Sequence, residues 1–165
     1  MEKLTTLILY NCHLYVTLSN SISNLTHLTH LELSNNDLSG TTPSSLITLP
    51  SLKEIYLEYN QFSKLDEFFN VSSSILNTLH LSNNYLSGPF PISIFHLKSL
   101  ISLDLSFNKF NGSLHLDKFF ELKKLTSLYI SYNSLSLNGN TINVEPSSIP
   151  EIYNLGLASY QHCPF

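Results

Sequence analysis

At 165 residues the chain has the length of one ordinary domain. It is 42% hydrophobic, enough for a core, but only 12% charged, about half the usual share. A net charge of -4 with no basic run argues against nucleic acid and anionic membrane surfaces as partners, and no stretch approaches the roughly 18 apolar residues of a membrane span. Two cysteines, Cys12 and Cys163, are too few for a disulfide framework or a zinc site.

Taken in chain order, one pattern recurs. The leucines that open it are Leu4, Leu28, Leu52, Leu76, Leu100 and Leu125, spaced by 24, 24, 24, 24 and 25 residues. The pattern is L-x-x-L-x-L-x-x-N-x-L. The first copy is Leu4, Leu7, Leu9, Cys12, Leu14, with Cys in the place of Asn. The second is Leu28, Leu31, Leu33, Asn36, Leu38, and the third is Leu52, Ile55, Leu57, Asn60, Phe62. The fourth is Leu76, Leu79, Leu81, Asn84, Leu86. The fifth is Leu100, Leu103, Leu105, Asn108, Phe110, and the sixth is Leu125, Leu128, Ile130, Asn133, Leu135. A seventh copy, Ile152, Leu155, Leu157, runs into the end of the sequence.

The period of two in Leu-x-Leu puts those side chains on one face of a short strand, which is too short to bury that face alone. Stacking the copies makes a parallel sheet over one continuous core. An amide side chain that both donates and accepts, placed where the chain leaves the strand, reaches backbone groups that no strand partner reaches. Asn36, Asn60, Asn84, Asn108 and Asn133 are therefore expected to form an internal ladder. Beyond the Asn, Leu38-Ser39-Gly40 leads to Pro43, Leu46 and Leu49, and Leu86-Ser87-Gly88 leads to Pro91, Ile94 and Leu97. Apolar spacing of three suits a short 3-10 segment on the convex side, with Gly at the turn. Lys64 to Ser73 lacks the Gly and Pro, and Leu65, Phe68, Phe69 and Val71 are expected to fill the core by another path. Leu137 to Ser148 reads as a polar loop. The expected architecture is an α/β repeat solenoid of class leucine-rich horseshoe, with a parallel concave sheet and a 3-10 and loop convex side. It forms one uncapped domain over residues 1–165, with six to seven repeats of about 24 residues.

Leu31-Glu32-Leu33-Ser34-Asn35-Asn36-Asp37-Leu38-Ser39-Gly40-Thr41-Thr42-Pro43, and its echo from Leu79 to Pro91, resemble the plant-specific class of leucine-rich repeats. More narrowly, the chain is similar to ectodomains of plant receptor-like proteins and receptor-like kinases, a likeness that Ile152 to Ser159 shares. The resemblance implies a module that recognises a protein or peptide ligand in signalling or defence, with a co-receptor, at the extracellular face of the plasma membrane. It also implies a larger parent carrying the signal peptide, cysteine-paired cap and membrane span, and in some members a kinase. On that basis this chain is expected to be an internal slice. Two other readings stay open: a secreted inhibitor of a foreign enzyme such as a pectin-degrading hydrolase, and a truncated product without a function of its own.

The variable positions beside the strand leucines face away from the core. The central column is Ile8, Glu32, Tyr56, His80, Asp104, Tyr129, Gly156, and the column before it is Thr6, His30, Glu54, Thr78, Ser102, Ser127, Asn154. Tyr10, Glu58, Tyr59, Phe107 and Tyr132 follow in the next two. Tyrosine combines contact area with a hydroxyl, which suits binding surfaces. The candidate ligand contacts are Glu32, Glu54, Tyr56, Glu58, Tyr59, His80, Asp104, Phe107, Tyr129 and Tyr132. The plain alternative is a solvated sheet face whose aromatics reflect strand propensity.

Asn24-Leu25-Thr26, Asn70-Val71-Ser72 and Asn111-Gly112-Ser113 are glycosylation sequons off the strand motif. Cys12, in a ladder position, is expected to be a small buried thiol, and the repeat spacing puts it roughly 29 Å from Cys163, too far to pair. The seven histidines read as scattered surface imidazoles, none at metal-binding spacing. No G-x-S-x-G elbow, nucleotide loop or kinase signature occurs, so no catalysis, cofactor or metal is expected.

Overall fold

In the computed structural model, residues 3–69, 71, 74–138 and 149–158 are described. Twelve strands follow one another among them: β1 (Thr6–Ile8), β2 (His30–Glu32), β3 (Ser39–Thr42), β4 (Glu54–Tyr56), β5 (Gln61–Leu65), β6 (Thr78–His80), β7 (Ser87–Pro89), β8 (Ser102–Asp104), β9 (Lys109–His115), β10 (Ser127–Tyr129), β11 (Ser134–Asn138) and β12 (Asn154–Gly156). Each leucine motif contributes one strand to a seven-stranded parallel sheet in the order β1-β2-β4-β6-β8-β10-β12. The register is constant. Leu7, Leu31, Ile55, Leu79, Leu103, Leu128 and Leu155 stand side by side, and so do the two flanking columns.

The strands of this sheet are three residues long, and the middle residue of each stands between two outward-facing ones. Leu31, Ile55, Leu79 and Leu103 are completely buried, each contributing about 1.5–3 kcal/mol of apolar transfer. From the convex side Phe90, Phe95, Phe110 and Phe119 close the core, with neighbouring ring centroids 5.1–6.2 Å apart. The convex connections are the expected 3-10 turns at Asn20–Asn24, Ile92–His96 and Leu116–Glu121, but one turn of α-helix at Ser44–Ile47.

Between strand and convex turn, where a Gly turn is expected, lies a further extended element. β3 pairs with β5, and β7, β9 and β11 form a second parallel sheet in the order β11-β9-β7. Gly40 therefore lies within a strand. Its φ is +82°, and a Cβ there would come 3.1 Å from Thr17 Cγ2, so two constraints select glycine. Pro89, which has no N–H to donate, sits in the edge strand of its sheet.

Other expectations need correction. Leu65, Phe68 and Val71 are buried as expected, but Phe69 is 74% exposed, because adjacent residues of extended chain face opposite ways. Leu137 and Asn138, assigned to the polar loop, end β11 and pair with Leu114 and His115, while the rest of that loop lies outside the described residues. Cys12 is exposed, not buried: it follows β1, which among the described residues has a neighbouring strand on one side only. Cys163 also lies outside the described residues.

Candidate ligand-binding face

The five asparagines hold each turn to the repeat before it. Asn60 Nδ2 donates to the carbonyls of Leu33 (3.0 Å), Leu57 (3.1 Å) and Glu58 (3.2 Å), and its Oδ1 accepts from Leu38 N–H at 3.0 Å. Asn84 does the same with Leu57 and Phe62, Asn108 with Leu81 and Leu86, and Asn133 with Leu105 and Phe110. Asn36 reaches Leu9, and its Oδ1 accepts from both Cys12 and Leu14 N–H. These bonds fix the outward-facing positions rigidly on the solenoid.

The residue before each of these ladder positions is left-handed. Asn11, Asn35 and Asn83 tolerate φ of 54–57°, but Tyr59, Phe107 and Tyr132 occupy the same slot at 53–56°. A bulky side chain in that region costs of the order of 1 kcal/mol or more, and such strain gathers at functional sites. These aromatics are not hidden: Tyr59 is 61% exposed and Phe107 46%. The Phe107 and Tyr132 rings stack with centroids 4.3 Å apart and planes 19° from parallel.

Histidines and acids interleave across β2, β4 and β6. His30 Nδ1 lies 2.8 Å from Glu54 Oε2, and His80 Nδ1 lies 3.2 Å from Glu58 Oε1. Because an ionised carboxylate only accepts, Nδ1 carries the proton in each pair. His80 Nε2 is 2.8 Å from Ser102 Oγ. These two histidines are thus paired rather than scattered. His30 joins a site in which the sequence singled out only His80, and its spacing of 24 residues from Glu54 was the available signal. Tyr56 sits between both rings, 5.5 Å from His30 and 5.3 Å edge-on to His80. Burial and the negative charge of Glu54, with smaller contributions from Glu58 and Glu32, hold its phenol above the ordinary range against a hydrogen bond with Thr78.

Glu32 accepts from Ser34 N–H at 2.8 Å and from the Ser34 hydroxyl. Asp104 accepts from Ser106 N–H at 2.9 Å and Oγ at 2.6 Å. Tyr129 stands beside Asp104 in register, 37% exposed. Ten expected contacts therefore share one face, although Phe107 and Tyr132 form their own stacked group at its rim. Toward the other end, Tyr10, Ser34, Asn35, Glu58 and Tyr59 line a cleft of about 320 Å³.

The described residues include no group of three or more metal-capable side chains, and none of their helices is long and apolar enough to cross a membrane. The sequon residues Asn24 and Asn111 are exposed, Asn24 at the end of a convex turn and Asn111 within β9. Asn70 lies outside the described residues.

Residues 2–62 and 74–135 match the family model described as leucine rich repeat. The chain belongs to the leucine-rich-repeat family. No curated protein sequence matches it. Among solved structures, this leucine-rich-repeat chain is similar to the Arabidopsis receptor kinase HAESA, crystallised with the peptide hormone IDA and the co-receptor SERK1. The identity is 29% and the TM-score 0.76, covering 94% of this chain and 25% of that one. It is similar to the ectodomain of the receptor kinase SOBIR1 from Arabidopsis thaliana, with 28% identity and a TM-score of 0.65 over 82% of this chain and 73% of that one. It is also similar to Pollen Receptor Kinase 3, with 28% identity and a TM-score of 0.69 over 86% of this chain and 78% of that one. The leucine-rich-repeat horseshoe is thus similar to that of plant receptor ectodomains, and the chain spans a quarter of the HAESA chain.

Proposed function

We propose that this chain is a ligand-recognition segment of a plant cell-surface receptor, working at the extracellular face of the plasma membrane in signalling or defence. It binds a peptide or protein on its concave sheet and catalyses nothing. A co-receptor, or parts of the parent beyond this segment, carries the signal onward. Asn24 and Asn111 are the glycan acceptors among the described residues. The observation that carries the reading is the set of exposed aromatics in left-handed turns: three of six equivalent slots hold Tyr or Phe where Asn is conformationally cheaper. The peptide-hormone complex of HAESA supports the ligand class.

The test is selection of binders from a displayed library of extended peptides on the intact chain. Tyr56→Ala and Tyr129→Ala are each expected to weaken the selected binders by more than about 1 kcal/mol, roughly fivefold, as hot-spot residues do. Binders indifferent to both changes, and lost instead on replacing the exposed convex Ile92, overturn the reading.

A further inference from the structure

The third repeat departs from its neighbours at two successive positions. Where Ser34, Ser82, Ser106 and Ser131 fill a buried slot, it carries Glu58, and where Asn11, Asn35 and Asn83 fill the left-handed slot, it carries Tyr59. We propose that the cleft between Tyr10 and Tyr59, with Glu58 at its side, is a subsite for a cationic group: the Lys or Arg side chain of an extended peptide. This deepens the concave-face reading above and rests on it.

Three observations converge. Glu58 is largely buried, and its Oε1 engages His80, but Oε2 is shut off from water with no hydrogen-bond donor among the described residues. A carboxylate oxygen in that state is costly, and the cost falls when a donor arrives. Glu58 lines the cleft and the terminal torsion of a glutamate is broad, so its carboxylate can turn to meet a cation that enters there. Second, the rim suits the apolar stem and charged head of such a side chain: Tyr10 is 57% exposed and Tyr59 61%, and aromatic faces attract ammonium and guanidinium groups. Third, the surrounding field has one sign. Glu32, Glu54, Glu58 and Asp104 occupy the outward columns, the sequence has no arginine, and none of its lysines falls in those columns. An anionic ligand would meet net repulsion here, offset only in part by the His30 and His80 donors, while a basic one would complete the charge pattern.

Amide chemical shifts of the intact chain, titrated with short capped peptides containing one Lys, Arg, norleucine or Glu, test this directly. The Lys and Arg peptides are expected to move Tyr10, Ser34, Asn35, Glu58 and Tyr59 saturably, more weakly as salt rises, and the other two are not. Glu58→Gln should weaken Lys-peptide binding about tenfold. Tyr59→Asn should also weaken it while melting higher than the parent, because Asn suits the backbone of that slot, so lost binding cannot be ascribed to misfolding. Equal binding of norleucine, or no saturable shift at these residues, overturns the proposal. The two readings separate with the library-selected binders. If they are sensitive to Tyr56→Ala but indifferent to Glu58→Gln, the concave face stands and the cation subsite falls. If they ignore both, both fall.

Discussion

Asn84 makes four hydrogen bonds from one buried amide: to the carbonyls of Leu57, Leu81 and Ser82, and from the N–H of Phe62. Its partners lie in two repeats and no water reaches them, so removing the amide leaves several backbone groups unsatisfied at once. Asn84→Ala is expected to cost about 3 kcal/mol, the sum of more than one buried orphan, read from denaturant unfolding against the parent chain. A change under about 1 kcal/mol would mean that the turn relaxes and finds other partners. The same residue-scale logic separates two kinds of acid on the concave face. Glu32 and Asp104 are satisfied by a serine two residues on, while Glu54 and Glu58 depend on histidines of neighbouring strands.

Among the elements, the 3-10 turn Ile92–His96 has Pro91 before it and no side-chain cap of its own. The cap comes from the preceding repeat: Glu67 Oε1 accepts from Ile92 N–H at 2.9 Å and Oε2 from Ser93 N–H at 2.8 Å. Partial burial opposes the charge, but the donors of Ser93 and Ile92 outweigh it, and the Glu67 carboxyl is held below the ordinary range. A depressed carboxylate stabilises the fold above its unfolded value, near 4.3, and that contribution is lost as pH falls through the lower folded value. Glu67→Gln is therefore expected to lower stability by about 0.5–1 kcal/mol at neutral pH, the size of a solvent-screened cap, with the difference shrinking in acid. Paired thermal melts across pH would show it. A deficit that persists undiminished at low pH would assign the effect to packing.

For the whole molecule, stability is close to a sum over repeats and their interfaces, so the two ends contribute least. At one end Ile8, Leu9, Tyr10, Tyr15 and Val16 are exposed beside the edge strand β1. At the other Tyr153 and Leu155 are exposed on or next to β12, which pairs only with β10 among the described residues. Open strand edges beside apolar surface are templates for another chain, and a charged content of 12% supplies little repulsion. The isolated chain is expected to self-associate with concentration in light scattering. A clean monomer with a cooperative melt above about 65 °C would refute this.

Whatever recurs from copy to copy is legible in the amino-acid sequence. The 24-residue spacing, the two-residue alternation of leucines and the turn asparagines dictate the parallel sheet, its register and the columns that face outward, because a fixed repeat length sets equivalent residues of successive copies opposite one another. Tertiary structure alone decided what stacking creates. The two smaller parallel sheets were illegible because Gly40, Gly88 and Pro89 are poor strand formers, held in their strands by backbone bonds from adjacent repeats. The exposure of Phe69 and the cap by Glu67 depend on the irregular convex path, where no period guides the eye. The left-handed backbone of Tyr59, Phe107 and Tyr132 is imposed by the ladder beneath it, against the preference of those side chains. The repeat length sets His30 opposite Glu54, but that their side chains meet, and that His80 reaches Glu58 off the register, was decided by side-chain packing on the folded sheet.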